Sequence, residues 1–431
     1  MCLGYSASYF ILAPATGAGA FIIRSHFLYK YQMANAVASI KPRNRAKVLN
    51  ANRQAKMAQS AHAYVRGNTL HFYEWLKKHS SQTIPEGPPV WICGDCHVGN
   101  IGPLADSKGK IEIQIRDLDQ TVVGNPAHDL VRLALSLATA ARGSDLPGVT
   151  VVKMMEEMID GYEQALVTRR TRLKASGDDL TPIQAVLEQS RRRRWHHLAE
   201  ERIEDVKPQI PLGRRFWTLD KKEYAGIEAL FQDETVTAKI LKFKGGEPKT
   251  KISVVDAAYW MKGCSLLGRL RYAVLLGIGK QSDRSYCLID LKEAASATAP
   301  QEKMTVRNNA QRVVTGACQL SPNLGERMLA VKLGGKDLVM RELMPQDLKF
   351  DLDRLTLEQG VAAARYLAGV VGKAHGRQMD AKTRLSWLSK LRKQHSKSLD
   401  APSWLWSSVV ALIADHETAY LEHCRQYACG H

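Results

Sequence analysis

The pattern of apolar and polar positions predicts both strands and helices along most of the chain. Short apolar runs bounded by Pro or Gly are typical of buried strands, and strict alternation is typical of a half-buried strand. These signals predict strands over residues 89–93, 110–116, 272–276, 287–292, 328–332 and 337–343. Helical spacing or composition predicts helices over residues 129–138, 151–176, 182–201, 301–320, 357–377, 383–398 and 403–427. The chain is therefore predicted to be an α+β protein.

The first two predicted strands each end in a polar turn. The first leads into an exposed turn that carries Asp95, and Asn100 follows five positions later. The second ends at Asp117, with Asp119 two positions beyond. Phosphoryl transfer needs a carboxylate that accepts the proton of the attacking hydroxyl, and oxygen ligands for Mg²⁺, commonly one Asn and one Asp. We therefore predict Asp95 and Asn100 as catalytic residues and Asn100 and Asp117 as metal ligands. Asp119 is either a further ligand or the cap of the next turn.

A nucleotide site also needs backbone N–H groups close to the phosphates and a cation that pairs with them. Gly263, Ser265 and Gly268 form a glycine-bounded turn, and Lys292 ends the second strand that follows it. We predict that this turn covers the phosphates and that Lys292 binds their oxygens. An ordinary β-turn and a surface lysine are the alternative interpretations. Arg66 is predicted to lie on a Tyr-Val-Arg-Gly turn, and it is either a phosphate ligand, through its bidentate guanidinium, or part of a structural salt bridge.

Several of these residues resemble a known catalytic block. The pattern consists of Gly94-Asp95 with Asn100, then Asp117-Leu118-Asp119, then Pro126 and Asp129-Leu130. It resembles the catalytic and metal-binding block of aminoglycoside phosphotransferases and choline kinases, which have the protein-kinase-like fold. Those enzymes usually carry a His before the Gly-Asp pair, where this chain has Cys93. Asp129 is expected to be a helix N-cap that also braces the catalytic turn. Over a longer stretch, from about Lys47 to about Gln378, the chain resembles the bacterial domain-of-unknown-function family 2252.

The order of the predicted parts is unusual for the kinase-like fold. In the common arrangement the glycine-rich hairpin and the strand lysine precede the catalytic Asp, whereas here they follow it. The resemblance therefore implies a two-lobed, circularly permuted fold, with ATP and Mg²⁺ as cofactors. We expect an N-terminal extension over 1–40, the catalytic part of a mainly helical large lobe over 41–234, a small antiparallel-sheet lobe that binds the nucleotide over 235–350, and helices completing the large lobe over 351–431.

Cys93 and Cys96 form a Cys-x-x-Cys pair, which allows a zinc or redox interpretation. A structural zinc ion takes four ligands, so His97 and the Cys and His residues near the C-terminus would have to complete the set. We favour the phosphotransferase interpretation because Cys96 lies inside the turn that must hold Asp95 and Asn100. The eight cysteines are scattered without the density of a disulfide scaffold, which favours a reducing cytoplasm.

The composition is that of a globular enzyme with an excess of positive charge. The chain has 431 residues, 45% of them hydrophobic, and a formal net charge of +18. It can build a large core, and its charge suits an anionic ligand or partner. We do not expect a nucleic-acid partner, because the chain has no aromatic platform and no nucleic-acid motif. Arg191–Arg194 is interpreted as a solvated helix face, and residues 207–251 are expected to contain an exposed connection.

The N-terminal segment is largely apolar. Residues 3–23 are nearly uncharged, and a stretch of that length can cross a bilayer. No basic residue precedes this stretch, however, and Pro14, Gly17 and Gly19 interrupt it. We therefore expect no stable membrane insertion and predict that the residues before about 35 are dispensable.

Taken together, the residues predict an ATP- and Mg²⁺-dependent phosphotransferase acting on an unidentified hydroxyl-bearing small molecule or protein. A catalytically degenerate kinase-like module is one alternative, and it would keep its nucleotide affinity after Asp95→Ala. A protein nucleotidyltransferase that uses the same metal ligands is another. The third alternative, a basic nucleic-acid-associated protein, would bind through Arg191–Arg194 with an affinity that falls steeply with salt.

Overall fold

The chain folds into helices around a six-stranded sheet and two small hairpin-like sheets. The computed structural model describes residues 40–143, 148–168, 181–195, 209–244, 250–262, 269–280, 284–300, 308–348, 356–392 and 402–427, together with Leu198, Glu247 and Val306. The predictions for the N-terminal segment, for Gly263, Ser265 and Gly268, and for residues 301–305 lie outside the described residues. The helix predicted over 301–320 begins only at Asn309, because the described Val306 and Asn308 are not helical. None of the described helices combines the length and the apolar composition needed to cross a membrane.

The helices of the described residues are α1 (Pro42–Met57), α2 (Ala61–Gly67), α3 (Thr69–Thr83), α4 (Pro126–Gly143), α5 (Gly148–Val167), α6 (Thr181–Arg192), α7 (Lys221–Leu230), α8 (Glu234–Lys244), α9 (Asn309–Leu320), α10 (Pro322–Gly325), α11 (Leu357–Gly376), α12 (Ala381–Arg392) and α13 (Ser403–Tyr427). The strands are β1 (Val90–Ile92), β2 (Ile101–Ala105), β3 (Ile111–Ile115), β4 (Val122–Gly124), β5 (Phe216–Trp217), β6 (Ile252–Trp260), β7 (Arg271–Ile278), β8 (Ser285–Glu293), β9 (Met328–Leu333) and β10 (Lys336–Leu343). The prediction of a mixed α and β protein is confirmed.

The six-stranded sheet is antiparallel throughout and has the order β5-β6-β7-β8-β10-β9. Because side chains alternate between the faces of a strand, Ile289 and Leu291 of β8 enter the core beneath α7 and α8. Asp290 and Lys292 therefore lie on the opposite face. Strands β1 and β4 form one small antiparallel pair and β2 and β3 form another.

A second core lies among the helices and the two small sheets. Helix α4 is buried on nearly all sides, and each fully buried Leu or Val of such a helix contributes about 1.5–3 kcal/mol of stability. Helices α5 and α11 approach each other closely, because a Cβ atom on Gly161 would lie 2.1 Å from the carbonyl oxygen of Arg365. This packing brings the C-terminal end of α11 beneath the small sheet of β1 and β4.

Three predictions of local structure were incomplete or wrong. The region over 207–251 contains β5, α7 and α8 as well as loops, although Asp220 and Glu223 form a capping box that marks the start of α7. Arg66 lies in helix α2 and not in a turn. Arg193, within the basic run, is buried and donates to the carbonyl oxygen of Pro345 at 2.7 Å. The run is therefore not a uniformly solvated face.

Candidate functional site

The turn after β1 requires a glycine. Gly94 has a φ of +74°, and a Cβ atom there would lie 2.1 Å from the carbonyl oxygen of Gln120. The Asp129 carboxylate holds this turn by accepting hydrogen bonds from the N–H groups of Cys93 at 2.7 Å and Gly94 at 3.0 Å. Asp129 therefore braces the turn, as expected. The interpretation of Asp129 as a helix N-cap was wrong, because α4 begins at Pro126 and the carboxylate binds the end of β1 instead.

Asp95 follows directly on this turn, and its predicted exposure was wrong. Its exposed fraction is 6%, and Oδ1 accepts a hydrogen bond from Nε of Arg132 at 3.0 Å. Burial raises the pKa of the Asp95 carboxyl, and Arg132 offsets this effect only in part. The negative charge of Asp117 adds to the rise. A carboxylate with a raised pKa accepts a proton more readily near neutral pH, which suits a general base.

The hairpin of β2 and β3 brings Asn100 close to the second acidic turn. Ile101 pairs with Ile115, and the N–H of Arg116 donates to the carbonyl oxygen of Asn100 at 2.6 Å. Asn100, just before β2, and Asp117, just after β3, therefore lie at the same end of the hairpin. The Asn100 amide donates through Nδ2 to the carbonyl oxygen of Asp95 at 3.0 Å. That hydrogen bond orients the side chain and leaves Oδ1 as an acceptor.

Lys292 meets the acidic turn from the six-stranded sheet. Its Nζ lies 3.8 Å from Oδ1 of Asp117 and forms a close ion pair with Oδ2 of Asp119. Burial lowers the pKa of Lys292. Burial alone would raise the pKa of Asp117, but the cations of the sheet, Lys292 first, outweigh it and lower the pKa. Two segments that are far apart in sequence thus form one charged cluster.

Further cations line the cleft between this turn and the sheet. Arg271 lies opposite Lys292 on the neighbouring strand and pairs with Asp290 through Nε at 2.9 Å. Arg116 and Arg341 also line the cleft, and the buried Nε atom of each has no hydrogen-bond partner among the described residues. Unpartnered buried donors are rare in folded proteins. The cleft therefore offers donors as well as positive charge to an anionic ligand.

The donor set also fits a magnesium ion. Mg²⁺ prefers carboxylate and amide oxygens and keeps several waters of its own. Asp117, Asp119 and Asn100 supply oxygens of that kind, and the lowered pKa keeps Asp117 ionised at neutral pH. In the structure the Lys292 ammonium already neutralises Asp119. A metal at this turn would therefore take over part of the role of Lys292 and leave its ammonium for a phosphate.

Arg312 has a positioning role that the sequence did not predict. It is buried, and it donates to the carbonyl oxygens of Asp119 at 2.9 Å and Ala295 at 2.8 Å. It also donates to the carbonyl oxygen of Thr121. One guanidinium thus ties the acidic turn to the chain that follows Lys292. Nothing in the sequence indicates these partners of Arg312, because all three are backbone carbonyl groups.

Arg66 packs against the turn that carries Asp95 and Asn100. A Cβ atom on Gly99 would lie 2.9 Å from its guanidinium, so the turn passes directly over this arginine. The pKa of the neighbouring His97 falls well below its ordinary value, through burial first and then through the charges of Arg66 and Arg132. Arg66 therefore supports the turn that carries Asp95 and Asn100. Its Nε atom is buried and has no hydrogen-bond partner among the described residues.

Cys93 and Cys96 are free and buried. Contact with the Cys96 thiol and burial both raise the pKa of Cys93 well above its ordinary value. A redox nucleophile has to be a thiolate, whereas this environment favours the neutral thiol. Both cysteines are buried inside the turn that holds Asp95, which favours a structural role for the pair.

Comparison with known proteins identifies a family for most of the chain. No curated protein and no solved structure matches it. The sequence profile of the family described as "Uncharacterized protein conserved in bacteria (DUF2252)" matches residues 45–426. That match runs from the first described helix to the last, and it includes the Asp95 turn, the Asp117 turn and Lys292. The chain therefore belongs to the bacterial family DUF2252.

Proposed function

We propose that the protein is an ATP- and Mg²⁺-dependent phosphotransferase. The observation that carries the proposal is the convergence of Lys292 with Asp117 and Asp119. A strand lysine beside two carboxylates, in a cleft with further arginines, is the combination that phosphates and their metal require. The Asp117 turn and the strand of Lys292 do not need opposite charges in order to pack together, because a hydrophobic contact would join them at a lower desolvation cost.

Each residue has a distinct role in the proposed reaction. Asp95 accepts the proton of the acceptor hydroxyl as that oxygen bonds to the terminal phosphorus and ADP leaves. Asn100 and Asp117 hold Mg²⁺, with Asp119 as a further ligand. Bound Mg²⁺ supplies neutralisation of the phosphate charge. Lys292 turns from Asp119 to the phosphate oxygens when the nucleotide enters.

The proposal includes a circularly permuted kinase-like fold. In related phosphotransferases the helix that ends just before the catalytic loop precedes that loop in the chain. In this proposal α11 corresponds to that helix although it follows the catalytic turn in sequence, and the contact between His375 at its end and Asp129 supports the assignment. The sheet that carries Lys292 also follows the catalytic turn. Catalysis depends on which groups converge and not on their order along the chain.

One observation favours a nucleotide-binding module without turnover as a second candidate. Asp95 is buried, and one of its oxygens is occupied by Arg132. A base must reach the acceptor hydroxyl within about 3 Å or through one water. The two candidates differ in what Asp95→Asn does. Asp95→Asn abolishes turnover of ATP if the protein is a phosphotransferase. Nucleotide binding persists in this variant whether the protein is a phosphotransferase or a binding module.

Thermal unfolding with and without ATP and Mg²⁺ tests the proposal. A ligand at about 100 times its dissociation constant stabilises the folded state by about 2.7 kcal/mol. We expect a rise in Tm for the wild type that Asp117→Asn and Lys292→Ala abolish. Lys336→Ala is the matched control, because Lys336 lies on the same sheet but pairs with Glu293, away from the acidic turn. Its shift should equal that of the wild type.

Two results would contradict the nucleotide site. One is the absence of any shift in the wild type at millimolar ATP and Mg²⁺. The other is an equal shift in the wild type, Asp117→Asn and Lys292→Ala, provided that circular dichroism shows all three to be folded. Consumption of ATP by the wild type, lost in Asp95→Asn with the Tm shift retained, would then assign Asp95 to catalysis.

A further inference from the structure

Three potential metal ligands converge at a place remote from the Lys292 cluster. His71 lies in the first turns of α3, and Asp415 and His416 lie in the C-terminal helix α13. One ligand atom from each lies within 4.8 Å of the other two. Nε2 of His71 and Oδ2 of Asp415 are 2.6 Å apart. Two imidazoles and a carboxylate are a common donor set for zinc and related transition ions.

All three atoms are buried, and none has a hydrogen-bond partner among the described residues. His416 as a whole has an exposed fraction of only 2%. Unsatisfied polar atoms in protein interiors are rare, and each one calls for a partner such as a water or an ion. An ordinary ion pair between His71 and Asp415 does not explain the cluster. Their close contact lacks hydrogen-bond direction, and it would leave Nε2 of His416 without any partner.

The second ring nitrogen of His416 is oriented as in a metal site. Nδ1 of His416 lies 3.0 Å from the carbonyl oxygen of Leu412, so it carries the proton and leaves a lone pair on Nε2. Metal-ligating histidines usually donate their other ring N–H to a carbonyl or carboxylate in this way. Nδ1 of His71 lies 3.9 Å from Oε2 of Glu74 on the same helix, which is too long for a hydrogen bond.

We propose that His71, Asp415 and His416 bind a divalent transition metal ion, of which Zn²⁺ is the best fit. Tetrahedral bonds of about 2.0–2.2 Å place two ligand atoms about 3.3 Å apart. The contact between His71 and Asp415 would open by less than an ångström, which side-chain rotation allows at the half-exposed Asp415. Three protein ligands leave a fourth position for water. The ion would fasten the C-terminal helix to α3.

A metal ion that joins α3 and α13 would also affect the residues that pack behind the Asp95 turn. Phe72, next to His71, packs against the guanidinium of Arg132, with 5.2 Å between Cζ and the ring centroid. Arg132 in turn pairs with Asp95. Fastening α3 to α13 therefore steadies the wall behind the Asp95 turn. The proposed metal site contains none of the residues of the proposed nucleotide site, so each can fail without the other.

Titration of chelator-treated full-length protein with Co²⁺ tests the site, because tetrahedral Co²⁺ absorbs visible light where octahedral Co²⁺ barely does. We expect one equivalent to bind with a tetrahedral spectrum, and Zn²⁺ to displace it. Asp415→Asn and His71→Gln should each weaken binding at least about 100-fold, more than the loss of an outer partner would. His79→Gln is the matched control, since His79 is an exposed residue of the same helix that stacks on Trp75.

Thermal unfolding with Zn²⁺ provides a second readout. The ion should raise the Tm of the wild type and of His79→Gln, and should leave Asp415→Asn unchanged. Asp415→Asn preserves side-chain shape at a half-exposed position, so it should remain folded. Stoichiometric Co²⁺ binding that persists in both His71→Gln and Asp415→Asn would place the metal elsewhere, for example on the Cys and His residues near the C-terminus, and would overturn the proposal. The absence of a tetrahedral spectrum in the wild type would also overturn it.

Discussion

Nε2 of His375 donates a hydrogen bond to Oδ2 of Asp129 at 3.1 Å, across 246 residues of sequence. The same carboxylate accepts the N–H groups of Cys93 and Gly94. Nδ1 of His375 lies 3.0 Å from the hydroxyl oxygen of Tyr162, within hydrogen-bond distance. One buried carboxylate thus joins the end of α11, the start of α4 and the turn that precedes Asp95.

Replacing Asp129 by Asn should loosen this junction. The amide has only one oxygen, so its NH₂ group would face one of the two backbone donors, and a buried N–H group would lose its partner. We expect the free energy of unfolding to fall by about 1–3 kcal/mol, measured by urea denaturation. Glu417→Gln is the control, because its exposed ion pair with Arg142 contributes little. Equal stability of the two variants would show that Asp129 does not brace the turn.

Gly94→Ala and Gly109→Ala form a matched pair. Their φ angles are nearly equal, +74° and +79°, so both variants bear the cost of an alanine in the left-handed region, about 1–2 kcal/mol. A Cβ on Gly109 meets nothing within 4 Å, whereas one on Gly94 meets the carbonyl oxygen of Gln120. We expect the free energy of unfolding of Gly94→Ala to be lower than that of Gly109→Ala by about 1–3 kcal/mol, measured by chemical denaturation. Similar losses in the two variants would contradict the close approach of the two turns.

Local patterns predicted much of the fold. The apolar runs over 272–276 and 287–292 lie within β7 and β8, and the helix predicted over 357–377 is α11, one residue shorter. The convergence of Lys292 with Asp117 could also be anticipated, because phosphoryl-transfer chemistry requires a cation beside the metal ligands. In each case the signal was contained in a few neighbouring residues or in a chemical requirement that pairs specific residue types.

The rest depended on packing between distant segments. The burial of Asp95 results from Arg132 and from the elements that cover the turn, none of which adjoins Asp95 in the chain. The partners of Arg312 are carbonyl oxygens, which any residue supplies and which no pattern marks. His71 and His416 lie far apart in the sequence, and only the docking of α13 against α3 brings them together. Sequence periodicity determines which face of a helix is buried but not which helix it meets.

Arg312→Lys should separate the acidic turn from Lys292. A lysine keeps the charge, but it presents its donors from one nitrogen and cannot span the carbonyl groups of Asp119, Thr121 and Ala295. Since a hydrogen bond to a charged group contributes about 1.5–3 kcal/mol, we expect a loss of stability of about that size. The rise in Tm with ATP and Mg²⁺ should shrink as well, because the two halves of the cleft lose their alignment.

Arg365→Lys is the control for Arg312→Lys. Arg365 binds Glu157 at the surface, so the same substitution there should change neither the stability nor the nucleotide shift appreciably. Differential scanning fluorimetry with and without the nucleotide measures both quantities. A nucleotide shift in Arg312→Lys as large as in the wild type would show that Arg312 supports the fold without positioning the cleft.

Asp347 should make the stability of the protein depend on pH in the acidic range. It pairs with the fully buried Arg327 at 2.9 Å. Burial would raise the pKa of Asp347, but Arg327 and Arg341 outweigh it, so the folded-state pKa lies below the ordinary value of 3.8. The ionised carboxylate therefore stabilises the fold fully above a pH of about 4. This contribution disappears as the pH falls through the folded-state pKa.

Asp347→Asn should cost about 3–5 kcal/mol near neutral pH, because it leaves Arg327 buried without its counter-charge. The difference from the wild type should narrow as the pH falls below about 4, where the wild-type carboxylate takes up a proton. Urea denaturation at a series of pH values from about 3 to 7 measures this difference. Asp160→Asn, at an exposed position, should show no such narrowing. A difference between Asp347→Asn and the wild type that stays constant across the whole series would show that the Arg327 pair does not lower the pKa of Asp347.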